Sequence, residues 1–145
     1  MALREVFVLN GPNLNLLGTR EPKIYGYDTL DQINARLITQ GIELGLSVEC
    51  RQTNHEGVLI DWLHEARARA IHAVLLNAGA YTHTSIALLD AIKAVQLPVI
   101  EVHLSDPETR EPFRHTSYVG MAAVACVKGL GAASYTAALE RAAAL

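Results

Sequence analysis

Apolar runs and helical segments alternate along the whole chain, and this alternation constrains the fold more than any other feature. The five apolar runs lie at residues 6–9, 48–50, 74–76, 99–102 and 122–127. They are continuously apolar, which is typical of strands covered on both faces of a parallel sheet. Strand–helix alternation of this kind predicts an α/β fold, a doubly wound sandwich with a five-stranded parallel sheet. The order of the strands stays open.

Apolar residues at helical spacing predict four helices between and after these strands. The first helix has Leu30, Ile33, Leu37, Ile38 and Ile42 on one face, and the second has Leu59, Trp62, Leu63, Ala66 and Ala70. The third has Leu88, Leu89, Ile92 and Val95, and the last runs from about Ser134 to the end. Thr29 and Gln32 have the form of a capping box at the start of the first helix.

Length, charge and composition restrict the kind of protein. A length of 145 residues predicts a single domain over residues 1–145. The net charge of −3 argues against nucleic-acid binding, which needs a concentrated basic face. No apolar run approaches the roughly 20 residues of a membrane span, and no signal-peptide core precedes the first strand. We therefore expect a cytoplasmic protein with no membrane contact, in which Cys50 and Cys126 are free, buried thiols.

A long loop follows the first strand, at about residues 11–27, and contains three glycines and two prolines. Loops of this length in small domains are usually lids or binding loops, so we expect an active-site lid here. Tyr25 in this loop is either an anchor that packs the loop onto the domain or a base. A tyrosine acts as a base in its phenolate form, which a neighbouring arginine such as Arg20 favours. The cations in predicted loops, suited together to holding a small anion, are Arg20, Lys23, Arg110 and Arg114.

Polar side chains follow several predicted strands at the carboxyl ends, where parallel sheets bind ligands. Asn77 follows the third strand, and the fourth contains Glu101 and ends at His103. A charged Glu101 inside an apolar run is costly unless it is paired, and His103 points to the same side of the strand. We expect a Glu101–His103 pair, and favour a catalytic acid or base over a purely structural pair. His83 either takes part in the site or braces the helix that follows it.

Motifs for metals, nucleotides and serine nucleophiles are missing from the sequence. HExxH and CxxC spacings do not occur, so we expect no metal. Neither GxGxxG nor GxxxxGK[ST] occurs, so a dinucleotide cofactor or a P-loop phosphate is not supported. A GxSxG elbow is also missing, and Ser105 is expected to bind a ligand or cap a helix.

The chain resembles the type II 3-dehydroquinate dehydratases, the small dehydroquinases, in order and over essentially its whole length. The matching segments are residues 10–22 (NGPNLNLLGTREP), 24–26 (IYG), 51–57 (RQTNHEG), 76–85 (LNAGAYTHTS), 99–105 (VIEVHLS), 114–118 (RHTSY) and 129–131 (GLG). The fold of that family is flavodoxin-like, which agrees with the sandwich expected from the alternation.

The resemblance implies a lyase that removes water from 3-dehydroquinate to give 3-dehydroshikimate, by anti elimination through an enolate. Such an enzyme uses no metal, no cofactor and no Schiff base. Tyr25 would be the base, Arg20 would stabilise its phenolate, and Asn13 would position a water on the enolate oxygen. His103, oriented by Glu101, would protonate the departing hydroxyl. The expected role is the shikimate route of aromatic amino acid biosynthesis, with quinate breakdown as the alternative.

The resemblance also implies how the substrate is held and how the chain assembles. The substrate-binding residues are Leu104 and Ser105 for the carboxylate, and Asn77, His83 and Arg114 for the ring hydroxyls. The family forms trimers that assemble into dodecamers, so we expect a homo-oligomer in which Asp90 reaches into a neighbour's site.

Two positions depart from the family pattern, and they bear on the shape of one loop. Asp106 stands where the family commonly has Asn, and Pro112 is unusual there. Two other functions remain as alternatives. One is a non-catalytic flavodoxin-like module for a nucleotide or flavin, and the other is a metal-dependent hydrolase that uses His83, His103 and Asp90.

Overall fold

The computed structural model of the protein describes residues 2–145 and has a single parallel sheet at its centre. The strands are β1 (Arg4–Asn10), β2 (Leu46–Gln52), β3 (Ala73–Asn77), β4 (Val99–Val102) and β5 (Ala125–Val127). Their order is β2-β1-β3-β4-β5, and every neighbouring pair is parallel. This is the flavodoxin-like order, so the predicted five-stranded α/β sandwich is confirmed.

Five helices surround the sheet: α1 (Pro22–Tyr25), α2 (Leu30–Glu43), α3 (Glu56–Ala68), α4 (Ile86–Val95) and α5 (Ala133–Ala143). The four predicted helices correspond to α2–α5, and α1 is a single turn within the 11–27 loop. Two cores result, one on each face of the sheet. Alternate residues of β1 belong to the two cores. Val6 and Val8 pack with α2 and α5, while Phe7 and Leu9 pack with α3 and α4.

The start of α2 follows the sequence prediction, but its buried face is rotated. The Thr29 side chain accepts from the Gln32 amide and the Gln32 side chain accepts from the Thr29 amide, so the capping box is confirmed. Ile38 and Ile42 are 44% and 62% exposed, and their predicted place in the core is wrong. Gly41 lies against the sheet instead, where an added Cβ would meet the Val48 side chain at 2.5 Å.

Three further predictions fail at the edges of elements. Ala70 lies beyond the end of α3 in a left-handed conformation (φ 52°) and is exposed. The predicted fifth strand is shorter than expected, because Val119–Met121 forms a 3-10 turn and pairing with β4 begins only at Ala125. Both cysteines are free, but neither is buried: Cys50 is half-buried in β2, and Cys126 is exposed on the edge strand β5.

None of the helices in residues 2–145 combines the length and the apolar character needed to cross a bilayer.

Candidate active site

A cavity of about 300 Å³ opens at the carboxyl ends of β1, β3 and β4. The strand order reverses between β1 and β3, and that switch point is where open α/β sheets bind ligands. Nine residues of the predicted site line this cavity: Asn13, Arg20, Tyr25, Asn77, His83, His103, Leu104, Ser105 and Arg114. Residues from five separate segments of the chain are therefore brought to one place by the parallel sheet.

The 11–27 loop supplies one wall of the cavity. Leu14 and Leu17 are buried in the core on the α2 side and fix the first part of the loop. Asn13 has a left-handed backbone (φ 70°), and its backbone N–H donates to Asn54 Oδ1 at 3.0 Å. By contrast, α1 fully buries none of its residues, and Tyr25 packs only partly against the same core.

Two guanidinium groups lie close to the ring of Tyr25. The Cζ atom of Arg20 is 4.6 Å from the centre of the Tyr25 ring, which is the neighbour that the sequence predicted. The Cζ atom of Arg110 is 5.3 Å from the same ring, and its Nη1 donates to the Ser105 hydroxyl at 3.4 Å. The sequence placed Arg110 only among the loop cations, and its contact with Tyr25 was missed. Its position in the loop after β4, at the binding edge of the sheet, was the available signal.

Glu101 and His103 form the expected pair at the end of β4. Their contact joins His103 Nε2 to Glu101 Oε2 at 2.6 Å, and both side chains are buried. Burial opposes ionisation of Glu101, but hydrogen bonds from His103 and Ser117 outweigh it and leave the pKa of Glu101 lowered. Since Nε2 faces the carboxylate, Nδ1 is the ring nitrogen of His103 that is left for a ligand.

His83 lies beside His103, and the ring centres are 6.4 Å apart with an interplanar angle of 15°. Burial lowers the pKa of His83, against the opposing hydrogen bond to the Thr116 carbonyl. A carbonyl only accepts, so His83 Nδ1 carries the proton at 2.8 Å from that oxygen, and Nε2 is an acceptor. His83 does not cap α4, because the Ser85 hydroxyl does so by accepting from the Leu88 amide.

Asn77 is held by a buried hydrogen-bond network. Its Nδ2 donates to the Tyr135 hydroxyl at 2.8 Å, and that hydroxyl donates to Asn10 Oδ1 at 2.6 Å. The Gly79 amide donates to Asn77 Oδ1 at 3.2 Å. Tyr135 is fully buried on α5, and burial raises its pKa, so its hydroxyl stays protonated. The network fixes the amide of Asn77 at the switch point. Tyr135 was not among the residues predicted for the site.

Backbone amides and arginines make one end of the cavity suited to an anion. Within residues 2–145, the amides of Leu104 and Ser105 donate to no protein acceptor, while their carbonyls accept from the Gly131 and Gly129 amides. Arg114 also lines the cavity, and its Nε donates to Glu111 Oε2 at 2.6 Å. Unpaired amides beside guanidinium groups are a general way to bind a carboxylate.

The two departures from the family pattern have local structural roles. The Asp106 side chain accepts from the Glu108 amide at 3.1 Å and so caps the 3-10 turn Pro107–Thr109. Pro112 occupies the first position of the next turn, Pro112–Arg114, where proline needs no hydrogen-bond donor. Both residues therefore shape the loop that presents Arg114.

Asp90 is the one predicted site residue that lies apart from the others. It is exposed on α4 and does not line the cavity of its own chain. Within residues 2–145, no group of three or more His, Cys, Asp or Glu side chains is arranged to hold a metal ion.

Known proteins share both the sequence and the fold. The family model described as Dehydroquinase class II matches residues 4–143. A 3-dehydroquinate dehydratase from Caulobacter vibrioides is 57% identical over 140 residues, which cover 97% of this chain and 95% of that protein. Another, from Phenylobacterium zucineum, is 54% identical over 142 residues, covering 98% of this chain and 97% of that protein.

Solved structures agree with these relatives. The type II dehydroquinase from Propionibacterium acnes superposes with a TM-score of 0.94 at 44% identity, covering 98% of this chain and 97% of that one. The type II dehydroquinase from Butyrivibrio crossotus gives 0.95 at 36% identity, covering 98% and 99%. The family expected from the motifs is confirmed: this chain belongs to the class II dehydroquinase family.

Proposed function

We propose that the protein is a 3-dehydroquinate dehydratase, which eliminates water from 3-dehydroquinate in the anti sense through an enolate and releases 3-dehydroshikimate. The observation that carries this proposal is that Tyr25 and His103 line one cavity, each with its own supporting group. Arg20 lies over Tyr25, and Glu101 accepts from His103. The names of the curated relatives support the same reaction.

Proton removal falls to Tyr25. Its phenolate takes the proton from the carbon next to the ketone, and the electrons of the broken C–H bond form the enolate. The guanidinium groups of Arg20 and Arg110, 4.6 and 5.3 Å from the ring centre, favour the anionic form of the base. Asn13, at the rim of the cavity, holds a water that donates to the enolate oxygen.

Loss of the hydroxyl falls to His103. The enolate reforms the ketone, a C=C bond forms next to it, and the C–O bond breaks as His103 gives a proton to the departing oxygen. The Glu101 carboxylate, 2.6 Å from Nε2, stabilises the protonated ring before this step. Tyr25 gains one proton in each cycle and His103 loses one. A proton therefore moves from Tyr25 to His103 before the next cycle.

The anionic end of the cavity orients the substrate. Its carboxylate is held by the amides of Leu104 and Ser105 and by the Ser105 hydroxyl. The ring hydroxyls are held by Asn77, by the acceptor Nε2 of His83 and by Arg114. The three arginines at the cavity give it a local positive charge in a chain whose net charge is −3, as an anionic substrate requires.

We also propose that the 11–27 loop is a lid that closes over the substrate. Two features support this role: α1 buries no residue, and the glycines at positions 18 and 26 have φ values of 90° and 86° on either side of the segment with Arg20 and Tyr25. Closure would exclude water from the cavity and strengthen the effect of both arginines on the base.

The direct test is an ultraviolet assay, because 3-dehydroshikimate is an enone that absorbs where 3-dehydroquinate does not. Pure, folded protein should raise the absorbance at a rate proportional to enzyme concentration, and activity should persist in a strong chelator. No absorbance rise from folded protein would reject the proposal. Deleting the gene should cause a requirement for aromatic amino acids; loss of growth on quinate alone would assign the same reaction to catabolism.

We propose that the chain works as a homo-oligomer, a dodecamer built from trimers, in which Asp90 reaches the cavity of a neighbour. The exposed position of Asp90 and the 57% exposed Ile86 on the same helix support an interface at α4. Light scattering should give twelve times the monomer mass. The free cysteines support a reducing, cytoplasmic setting, which fractionation of cells tests.

A further inference from the structure

The Glu101 carboxylate accepts, at one of its two oxygens, from two donors that come from different parts of the chain. Its Oε2 atom accepts from His103 Nε2 and from the Ser117 hydroxyl, each at 2.6 Å. His103 follows Glu101 on the same strand end, but Ser117 lies in the loop before β5. The position of the carboxylate is therefore set by the packing of that loop against β4, as well as by the pair itself.

The direction of the Ser117 hydroxyl is fixed by the backbone. The Gly120 amide donates to Ser117 Oγ at 2.8 Å, so the oxygen acts as an acceptor on that side. The hydroxyl hydrogen is then free to point at Glu101, and the hydrogen bond is charge-assisted. A chain of donors runs from the Gly120 amide through Ser117 to Glu101, and His103 donates to the same oxygen.

Gly120 is needed for space and has no unusual backbone conformation, because its φ lies outside the left-handed region. An added Cβ would lie 2.8 Å from Glu101 Oε1 and 2.9 Å from Ser117 Oγ. Both distances are shorter than side-chain carbons tolerate. Any larger residue at position 120 would push the carboxylate or the serine out of place.

We propose that Ser117 and Gly120 form a carboxylate clamp, a pair of positioning residues that hold Glu101 in the orientation required by His103. The clamp rests on the proposed function, since it acts on the residue that orients the proposed acid. Ser117 supplies the second donor, and Gly120 supplies both the amide that turns the serine and the gap that the carboxylate fills. Neither residue is proposed to touch the substrate.

Other titratable groups surround this carboxylate and have to stay constant in the test. Besides His103, the charged or titratable side chains of the cavity behind Glu101 are His83, Glu108, Arg114, His115, Cys126 and Lys128. Desolvation and the Glu101 carboxylate raise the pKa of the Cys126 thiol to about 11, so this nearest neighbour on β5 is neutral near pH 7. None of these groups is altered in the variants below.

The first experiment needs no substrate. Infrared difference spectra of the free protein, recorded during a pH titration, follow ionisation of the Glu101 carboxyl, whose band is identified by its loss in Glu101→Gln. Ser117→Ala should move the midpoint to higher pH, since one donor to the ionised form is removed. Ser117→Thr should restore it. Ser85→Ala is the matched control, because it also removes a serine hydroxyl that accepts from a backbone amide, and its midpoint should not move.

The second experiment measures turnover of 3-dehydroquinate. Ser117→Ala should lower kcat roughly tenfold, the effect of losing one charge-assisted hydrogen bond, with KM almost unchanged. The acid limb of its kcat–pH profile should move to higher pH in step with the infrared midpoint. Gly120→Ala should show the same pattern while it keeps every polar group. Gly57→Ala is its control, since an added Cβ there meets nothing within 4 Å.

The outcomes separate the clamp from the proposed function. If the wild-type protein does not act on 3-dehydroquinate, the proposed function fails, and the infrared titration still decides the clamp. Wild-type midpoints in both Ser117→Ala and Gly120→Ala would overturn the clamp even if the enzyme is active. A shifted midpoint that Ser117→Thr does not restore would also overturn it. If Ser117→Ala gives little folded protein, Gly120→Ala carries both measurements.

Discussion

Tyr25 and His103 face the same cavity, but the chain holds them by different means. His103 lies at a strand end, is 7% exposed, and has a buried carboxylate at 2.6 Å. Tyr25 lies on one helical turn that fully buries no residue. Its ring packs partly against the core on the α2 side, and two guanidinium groups lie 4.6 and 5.3 Å from the ring centre. Charge-assisted hydrogen bonds fix direction as well as distance, whereas a cation over a ring fixes position loosely. The proposed acid, His103, therefore takes its position from the fold itself (the acid side of the cavity), whereas the position of the proposed base, Tyr25, depends on the conformation of the 11–27 loop (the base side).

The largest effect is expected on the base side. Tyr25→Phe removes one oxygen and leaves the ring beside Arg20 and Arg110, so the loop should keep its place while the proposed base is lost. The kcat should fall about a thousandfold, within the range for general base catalysis, and substrate should still bind. The ultraviolet assay and calorimetric binding check the two parts. Near-normal turnover would remove Tyr25 as the base; Tyr27→Phe, at an 80% exposed site, is the control.

A smaller loss is expected on the acid side. His103→Ala should lower kcat about a hundredfold by slowing hydroxyl loss, at the lower end of the range for general acid–base catalysis. Proton removal should continue, so the α-proton of 3-dehydroquinate should still exchange with deuterated solvent, as proton NMR can follow. If exchange stopped together with dehydration, the division of work between the two sides would be wrong.

The third effect is on stability and tests how firmly the fold holds Asn77, which lies at a strand end like His103. Tyr135→Phe leaves Asn10 and Asn77 without their shared partner in the core. The free energy of unfolding should fall by about 2 kcal/mol, the cost of buried polar groups left unpaired. Urea denaturation measures it, with Tyr27→Phe expected to change stability by less than about 0.5 kcal/mol. Equal free energies of unfolding for the two variants would show that the network does not stabilise the fold.

The smallest effect is expected for a strained position in the loop. Gly26 has φ 86° and ψ −175°, a region that only glycine occupies readily, and an added Cβ meets nothing within 4 Å. Gly26→Ala should therefore cost about 1 kcal/mol or less of global stability, because the loop relaxes locally. The activation free energy for turnover should rise by more than the free energy of unfolding falls, since Tyr25 is displaced. A change in stability with no change in kcat would mean that the loop does not position the base.

The sequence predicted those parts of the molecule that depend on local pattern. Continuous apolar runs located the strands, and parallel strands bring their carboxyl ends to one edge, so Asn77 and His103 could be placed together. Periodicity could not say which of several apolar residues faces the sheet: Ile42 was expected inside, but Gly41 is there because the helix approaches Val48 closely. Cys126 was expected to be buried because β5 was not recognised as the edge strand, and strand order is not a local property.

The missed residues share one cause. Arg110, Ser117 and Tyr135 act through contacts with residues far away in sequence, such as the hydrogen bond from Tyr135 to Asn10 across 125 positions. No spacing rule along the chain encodes such a contact. Asp90 is a different case, since its proposed partner belongs to another copy of the chain.

The single helical turn in the 11–27 loop has a practical consequence. The peptide bonds after Arg20 and Lys23 are cleavage sites for trypsin. They lie just before and within α1, a turn in which no residue is fully buried. Limited proteolysis should nick the free protein there first, because proteases need a segment that can leave the surface. A ligand that draws the turn onto the cavity would slow this cut, so the rate of nicking gives a simple screen for inhibitors that hold the loop closed.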